Sequence, residues 1–318
     1  MVKFEKKGVH VSPLFCDKLA FVIQYKTADA RAFVRERLKY LRHNSEGHFA
    51  YPGGGRKYKL GMHFYVEPYE RVSTMLVQAD PKYWDDHFIR VDYNPAHADP
   101  GTIFWLLDQI LPEGWSDIPL LAKCTRFDAT VDVHRIDIME LLVSYSGMQL
   151  NRLFCKGGRF ETVEFGRYDG DKRVVVYDKR AEVIHWNEKH AIKKPVPSSP
   201  TTRIEIVLRP SRTFAALADI SNPFSGLSVL TTPSLSEAAT LPFRLFVKVA
   251  QLGGLQQALL GLPESTRKGF KALLAKSSCS WWNPDTIWSS WNDLILELLH
   301  VPKPAKSPVA ALQTEMVS

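Results

Sequence analysis

The chain has 318 residues, of which 45% are hydrophobic and 24% are charged, so it can build a folded core and is not intrinsically disordered. No apolar run of about eighteen residues occurs, so we expect no membrane span, and the N-terminus lacks the apolar core of a secretion signal. Cys16, Cys124, Cys155 and Cys279 show no zinc or redox spacing, which predicts a reduced, cytoplasmic protein.

The net charge of +7 is concentrated in one segment. Between Asn151 and Thr213, fourteen Lys and Arg stand against eight Asp and Glu. A local excess of positive charge is typical of a surface that binds a polyanion, most often nucleic acid. The alternative is a solvated basic face without a partner, and charge alone does not separate these two interpretations.

The first third of the chain alternates strand and helix patterns. Enrichment in Val, Phe and Ile predicts a strand over His10–Tyr25, and helical spacing predicts a helix over Thr27–Leu41 with Thr27 as its cap. Three consecutive glycines in YPGGGRKYK predict a loop, and the runs LGMHFYVEP, STMLVQA and DHFIRVDYNP predict strands. Asp99 followed by proline predicts a helix over Asp99–Leu111.

The central part is rich in strand patterns. Clean alternation predicts strands over Cys124–His134 and Arg203–Arg209, and RIDIMELLVSYSGM predicts a helix between them. Two strand patterns that flank Asp169 and Gly170 predict a hairpin with a tight primed turn. The stretch DKRAEVIHWNEKH predicts a helix capped by Asp178.

After Pro210 the composition shifts to Leu, Ala and Ser, and helical patterns fill Pro242–Leu299. Taken together, these strand and helix patterns predict an α+β fold. In this fold a central, mostly antiparallel sheet carries the active site among packed helices, and the C-terminal part is helical. We expect a β-rich N-terminal part at residues 1–115, a sheet region at 116–213 in one body with it, a helical part at 214–301 and a loose tail at 302–318.

Three of the predicted strands each carry a polar face, because alternate side chains of a strand share a face. The residues on these faces are Arg126, Asp128, Thr130 and Asp132; Arg173, Val175, Tyr177 and Lys179; and Arg203, Glu205, Val207 and Arg209. If the faces align in one sheet, Asp128, Glu205 and Tyr177 converge.

This convergence suggests metal-assisted chemistry on a phosphodiester. The carboxylates of Asp128 and Glu205 are hard ligands suited to Mg²⁺ or Mn²⁺, and a tyrosine oxygen beside such an ion can attack a phosphate. A free tyrosine has a pKa of about 10, so Tyr177 needs a nearby cation or base, for which Lys179 and the metal are the candidates. Asp132 lies about 13 Å along the strand from Asp128, so we expect it to support the site rather than to share the ion.

Each of these residues also has a plain structural interpretation. Asp128 and Glu205 can be ion-pair partners of Arg126 and Arg203 at a sheet surface. Tyr177 can be a half-buried strand aromatic with its hydroxyl at the rim. Neither the glycine loop, which lacks the ending of a phosphate loop, nor the scattered histidines offer another site.

Three stretches of the chain resemble, in order and spacing, the rolling-circle replication initiation factors of small plasmids and filamentous phages: TRFDATVD, FGRYDGDKRVVVYDKRAE and TRIEIVLR. Relaxases of some conjugative elements are similar to these factors. The match covers Lys123 to Arg209. The resemblance implies an endonuclease that nicks one DNA strand at an origin and forms a 5′-phosphotyrosine. It leaves a 3′-hydroxyl for a polymerase and later rejoins the strand.

The resemblance also implies roles for individual residues. It makes Tyr177 the nucleophile, with Tyr168 in the hairpin turn as a rival, and makes Asp128 and Glu205 the ligands of Mg²⁺ or Mn²⁺. Basic residues near the DNA phosphates would be Lys179, Arg126, Arg203, Arg173 and Arg167. Many members carry an arginine two residues before the tyrosine, where this chain has Val175.

Two classes of function remain open from the sequence. The first is a metal-dependent nicking enzyme, as an initiator or as a conjugative relaxase, and the compact chain without an added domain favours the initiator. Its partners would be origin DNA, a host helicase and polymerase, and a second copy of the chain for a second nick. The other class is a non-catalytic DNA-binding protein with the same fold.

Overall fold

The computed structural model describes residues 8–44, 49–52, 57–66, 74–83, 87–115, 118–156, 159–231, 240–275 and 279–299. The fold is α+β with a large antiparallel sheet and a helical C-terminal part, as predicted. Within these ranges, no helix is long and apolar enough to cross a membrane. The three glycines of the predicted loop and the whole of the predicted loose tail lie outside the described residues, and the two ends of the predicted loop belong to strands.

The elements alternate along the chain. Those of the first part are β1 His10–Val11, β2 Phe15–Ile23, α1 Ala28–Asn44, β3 Phe49–Pro52, β4 Tyr58–Tyr65, β5 Thr74–Pro81, β6 Ile89–Tyr93, α2 Pro100–Ile110, α3 Ile118–Leu121 and β7 Lys123–His134. Those of the second part are β8 Leu141–Tyr145, β9 Leu150–Lys156, β10 Arg159–Phe165, β11 Lys172–Asp178, α4 Lys179–Lys189, β12 Thr201–Leu208, β13 Arg212–Thr213, β14 Leu227–Thr231, α5 Leu241–Gly253, α6 Leu255–Leu260, α7 Glu264–Ala275, α8 Pro284–Trp288 and α9 Trp291–Leu299.

Contacts divide the chain into two compact units. One comprises Met1–Phe15, Asp128–Arg209 and Ser221–Trp291, and the other comprises Cys16–Phe127, Pro210–Ile220 and Asn292–Ser318. The domain boundaries predicted from composition stay predictions.

The unit that begins at Cys16 contains the antiparallel strands β3, β4, β5, β6 and β2, in that order across the sheet. Helices α1 and α2 of this unit begin as the sequence predicted. The Thr27 hydroxyl accepts a hydrogen bond from the Ala30 amide at 3.3 Å, and the Asp99 carboxylate accepts one from the Thr102 amide at 2.7 Å. Such caps satisfy amides that have no partner within the helix.

The unit that contains Asp128–Arg209 holds the strands of the candidate site. Strand β11 lies between β10 and β12, and it is antiparallel to both. The register places Tyr177 opposite Arg203 on β12 and opposite Thr162 on β10. The apolar side chains Val174, Val176 and Ile204 are fully buried on the other face, so the core fixes which face each polar residue takes.

The helical part of this unit packs on a small second sheet. Strand β8 pairs with β14, and α5 buries Phe243, Phe246 and Val247 in a cluster with apolar residues of both strands and of α6 and α7. The predicted helical character of this region is confirmed.

The helix predicted for RIDIMELLVSYSGM is wrong. A short 3₁₀ turn at Ile138–Glu140, closed by a capping box from Asp137, is followed directly by strand β8. A short apolar run fits a helix or a strand equally well, and here the pairing of β8 with β14 decides for the strand.

The hairpin of β10 and β11 exists, but the primed turn predicted at Asp169 and Gly170 is wrong. A primed turn needs positive φ at a central residue, whereas the positive φ in this hairpin, +81°, is at Gly166. A Cβ on Gly166 would lie 2.9 Å from the carbonyl oxygen of Lys172, so this position needs glycine. The result is a longer connection over residues 166–171.

Candidate active site

Tyr177 is the second-last residue of β11 and lies two residues before Lys179, where helix α4 begins. The strand holds it from one side through its ladder with β10 and β12. On the other side, the Asp178 carboxylate caps α4 by accepting a hydrogen bond from the Ala181 amide at 2.9 Å, as the sequence predicted. A half-buried phenol is therefore positioned by two rigid elements.

The Tyr177 hydroxyl donates a hydrogen bond to Glu205 Oε1 at 2.6 Å. Glu205 faces Val175 in the register, so it reaches Tyr177 diagonally on the same face of the sheet. This length is in the range of a bond from a hydroxyl to a carboxylate, which is stronger than a neutral one. The arrangement orients the phenol and provides an acceptor for its proton.

Lys179, the other predicted aid to Tyr177, is the first residue of α4. Its Nζ donates to Glu182 Oε2 at 2.8 Å and lies 5.9 Å from the centre of the Tyr177 ring. The lysine therefore places a cation beside the ring, whereas Glu205 contacts the hydroxyl itself. Glu182 was not among the site residues predicted from the sequence, although its i, i+3 spacing from Lys179 is a signal for such a pair.

Asp132 and Arg203 form a bidentate ion pair. Arg203 Nε and Nη2 donate to the two Asp132 oxygens at 2.7 and 2.9 Å, and the guanidinium carbon lies 5.1 Å from the centre of the Phe15 ring. Arg203 is only 5% exposed, so it does not present its guanidinium to a DNA phosphate in this arrangement. We assign the pair to holding β7 and β12 in place.

Because this pair is largely buried, removing one partner is expected to destabilise the protein. Asp132→Ala removes the carboxylate that pairs with both nitrogens of the buried Arg203 guanidinium, and we expect a loss of about 3 kcal/mol in the free energy of unfolding. The control is Asp169→Ala, which removes the exposed pair with Arg167 and should change stability by less than about 0.5 kcal/mol. Urea unfolding of both variants measures this, and equal losses would contradict the assignment.

Asp128 lies on β7 and is 2% exposed, so the predicted polar face of this strand is covered at this position. The Arg135 amide donates to the Pro200 carbonyl at 2.8 Å, and Arg203 meets Asp132, so β7 and β12 run antiparallel. We infer that this register continues and places Glu205 opposite Thr130 and diagonal to Asp128. The two carboxylates then share one face of neighbouring strands.

The donor chemistry of Asp128 and Glu205 fits Mg²⁺ or Mn²⁺. Both supply carboxylate oxygens, which these hard ions prefer. Among the described residues, no group of three or more His, Cys, Asp or Glu could hold a metal ion. Two carboxylates are enough for Mg²⁺, which keeps several waters and takes further oxygens from a substrate phosphate.

The remaining predicted basic residues lie in different surroundings. Arg173 Nη1 is 3.5 Å from Glu164 Oε2, and the arginine carbon is 4.8 Å from the centre of the Tyr168 ring. Arg167 is 83% exposed at the hairpin tip, and Arg126 belongs to the other unit. Glu164 was not predicted from the sequence either, although the observed register of the hairpin places it near Arg173.

Two comparisons with known proteins give no match: no family model fits the chain, and no curated protein matches it. Among solved structures, the chain is similar to a rolling circle replication initiator protein from Geobacillus stearothermophilus. The identity is 17%, the match covers 78% of this chain and 98% of that chain, and the TM-score is 0.39. That protein is of the class that the sequence motifs resemble, but so low a TM-score does not establish a common fold.

Proposed function

We propose that this chain is a site-specific DNA nicking and closing enzyme that initiates rolling-circle replication through a 5′-phosphotyrosine intermediate. The observation that carries the proposal is the hydrogen bond of 2.6 Å from the Tyr177 hydroxyl to Glu205 at the end of a rigid strand. The three strands of this region also carry the motifs that resemble rolling-circle initiators.

Tyr177 is the nucleophile in this proposal. Its hydroxyl oxygen attacks the phosphorus and gives its proton to the Glu205 carboxylate as the bond to the 3′-oxygen breaks. The 3′-oxygen takes a proton from solvent water and leaves as a hydroxyl, Glu205 releases the tyrosine proton to solvent, and the 5′-phosphate stays on Tyr177. Closing is the reverse reaction, in which a 3′-hydroxyl attacks the phosphotyrosine, so no water and no energy source are consumed.

Asp128 and Glu205 would hold Mg²⁺ or Mn²⁺, which would offset negative charge on the scissile phosphate. Lys179 places a positive charge 5.9 Å from the centre of the Tyr177 ring, where it would attract the scissile phosphate. Asp132 supports the site through its pair with Arg203.

The DNA partner in this proposal is single-stranded at the nick. The basic segment between Asn151 and Thr213 contains β11, β12 and α4, so the excess positive charge accompanies Tyr177. A host helicase and polymerase, and a second copy of the chain for a second nick, are further partners that the resemblance to initiators implies.

A supercoiled DNA library tests the function without knowledge of the origin. The protein is incubated with the library and Mg²⁺ or Mn²⁺, the mixture is denatured, and DNA that stays attached to protein is captured and sequenced. Recovery of nicked circles from one recurring site supports the enzyme. Gel retardation without any attached or nicked DNA would instead identify a non-catalytic DNA-binding protein.

Binding to DNA is expected to weaken steeply as salt increases. Each phosphate contact to a single strand contributes about −0.7 to the slope of log affinity against log salt. Arg167→Gln should make that slope less steep by about 0.7, which corresponds to one lost phosphate contact, since Arg167 is an exposed cation of the hairpin tip. Fluorescence anisotropy of a labelled single strand measures both effects, and an affinity independent of salt would contradict a surface that binds phosphates.

A further inference from the structure

The tip of the hairpin between β10 and β11 presents an exposed aromatic ring. Tyr168 is 60% exposed, and the guanidinium of Arg173 lies 4.8 Å from the centre of its ring. One face of the ring is therefore covered by a cation, and most of the remaining surface is open to solvent. The mechanism proposed for Tyr177 makes no use of this ring.

Several contacts hold the backbone around Tyr168 in one conformation. The Gly170 amide donates to the Arg167 carbonyl at 3.2 Å, which closes a turn around Tyr168. Arg209, the residue after β12, anchors the same turn: its Nη1 donates to the Gly170 carbonyl at 2.7 Å, and its amide donates to the Asp171 carbonyl at 2.8 Å. The entropy cost of ordering this loop when a ligand contacts the ring is therefore small.

Arg173 is held under the ring at some energetic cost. Its side chain is 11% exposed, and its Nε is buried without a hydrogen bond to any described residue. A buried donor without a partner is unfavourable for folding. This favours a role for Arg173 besides stability, and its contact with Tyr168 indicates where that role lies.

Arg173 and Tyr177 lie on the same face of β11, four residues apart. In an extended strand this separation is about 13 Å. A single strand of DNA that reacts at Tyr177 and follows this face of the sheet therefore meets the ring of Tyr168 a short distance from the scissile phosphate.

We propose that Tyr168, backed by Arg173, is a stacking site for a base of single-stranded DNA near the nick. This inference rests on the proposed function and adds a binding contact to it. Every base has a π face, so such a site accepts any base, and the cation beneath the tyrosine keeps the ring in position. The rival role of Tyr168 as nucleophile is not needed.

The test compares an oligo(dT) strand with an abasic strand of the same length, since both carry the same phosphates. The wild-type protein should bind oligo(dT) more tightly. Tyr168→Leu should lose about five-fold or more in affinity for oligo(dT), with no change for the abasic strand and no change in the salt slope. Tyr168→Phe should restore the preference, because it keeps the ring.

Two other variants sharpen the comparison. Tyr83→Leu removes a tyrosine that is 77% exposed in the other unit and should leave both affinities unchanged. Arg167→Gln should weaken binding to both strands by the same factor, because it removes a charge and not a ring. Melting temperatures check that each variant is folded.

The outcomes separate this inference from the proposed function. If Tyr168→Leu binds oligo(dT) as tightly as the wild type, the stacking site is overturned, whatever the nicking assay shows. If the preference for bases depends on Tyr168 but no covalent adduct ever forms, the stacking site is supported and the nicking function is overturned. Loss of the adduct in Tyr168→Phe would show a nucleophile rather than a stacking ring.

Discussion

Tyr177→Phe is expected to abolish covalent attachment to DNA and to leave folding and DNA binding nearly intact. The substitution removes the attacking oxygen but keeps the ring that packs at the end of β11. It also removes the hydrogen bond to Glu205, which should cost about 1 kcal/mol of stability because Tyr177 is only half-buried. The measurement is the yield of labelled DNA that stays attached to the protein on a denaturing gel.

Tyr168→Phe is the matched control for this experiment, since it removes the hydroxyl of a neighbouring tyrosine on the same hairpin. We expect the control to form the adduct at the wild-type level. An adduct in Tyr177→Phe, or its loss in the control alone, would show that Tyr177 is not the nucleophile.

Asp128→Asn and Glu205→Gln are each expected to remove most of the metal-dependent nicking. An amide keeps the shape of the side chain but not the negative charge that holds a hard dication against its hydration. Glutamine at position 205 can still accept a hydrogen bond from Tyr177, but it cannot take the tyrosine proton, so Asp128→Asn is the variant that reports on the metal alone. The measurement is the nicking rate against Mg²⁺ or Mn²⁺ concentration, beside the melting temperature of each variant.

Glu188→Gln is a suitable control, because Glu188 is an exposed carboxylate of the same unit on α4. If Asp128 and Glu205 only balance arginines, their amide variants should melt at lower temperature while the folded protein nicks normally. Lost activity with an equal or higher melting temperature supports the metal assignment, since like charges around a site without its ion repel.

Much of the sheet could be predicted from the sequence, because alternation of apolar and polar residues fixes which face each side chain takes. Strands β7, β11 and β12 lie where this alternation predicted them. The prediction that Tyr177 and Glu205 share a face agrees with their hydrogen bond. The cap at Asp178 could also be predicted, since it depends on neighbouring residues only.

Other features depend on which strands pair and in what register, and a single sequence carries little information about this. The pairing of β8 with β14 turned an expected helix into a strand. The ion pair of Asp132 with Arg203 joins residues 71 positions apart, so local sequence patterns could not reveal that Arg203 binds a carboxylate of the protein rather than DNA. The hairpin turn was predicted too short because Gly166, not Gly170, takes the positive φ.

The most direct test of the central claim is to identify the amino acid that carries the DNA. The wild-type protein is allowed to react with intact DNA that contains the nick site, in the presence of Mn²⁺. The adduct is then digested with protease and nuclease, and the modified peptide is sequenced by mass spectrometry. The account predicts a nucleotide phosphate on Tyr177, in the peptide that contains VVVYDK. A phosphate on Tyr168 or on any other residue, or nicked DNA with no attached protein, would contradict it.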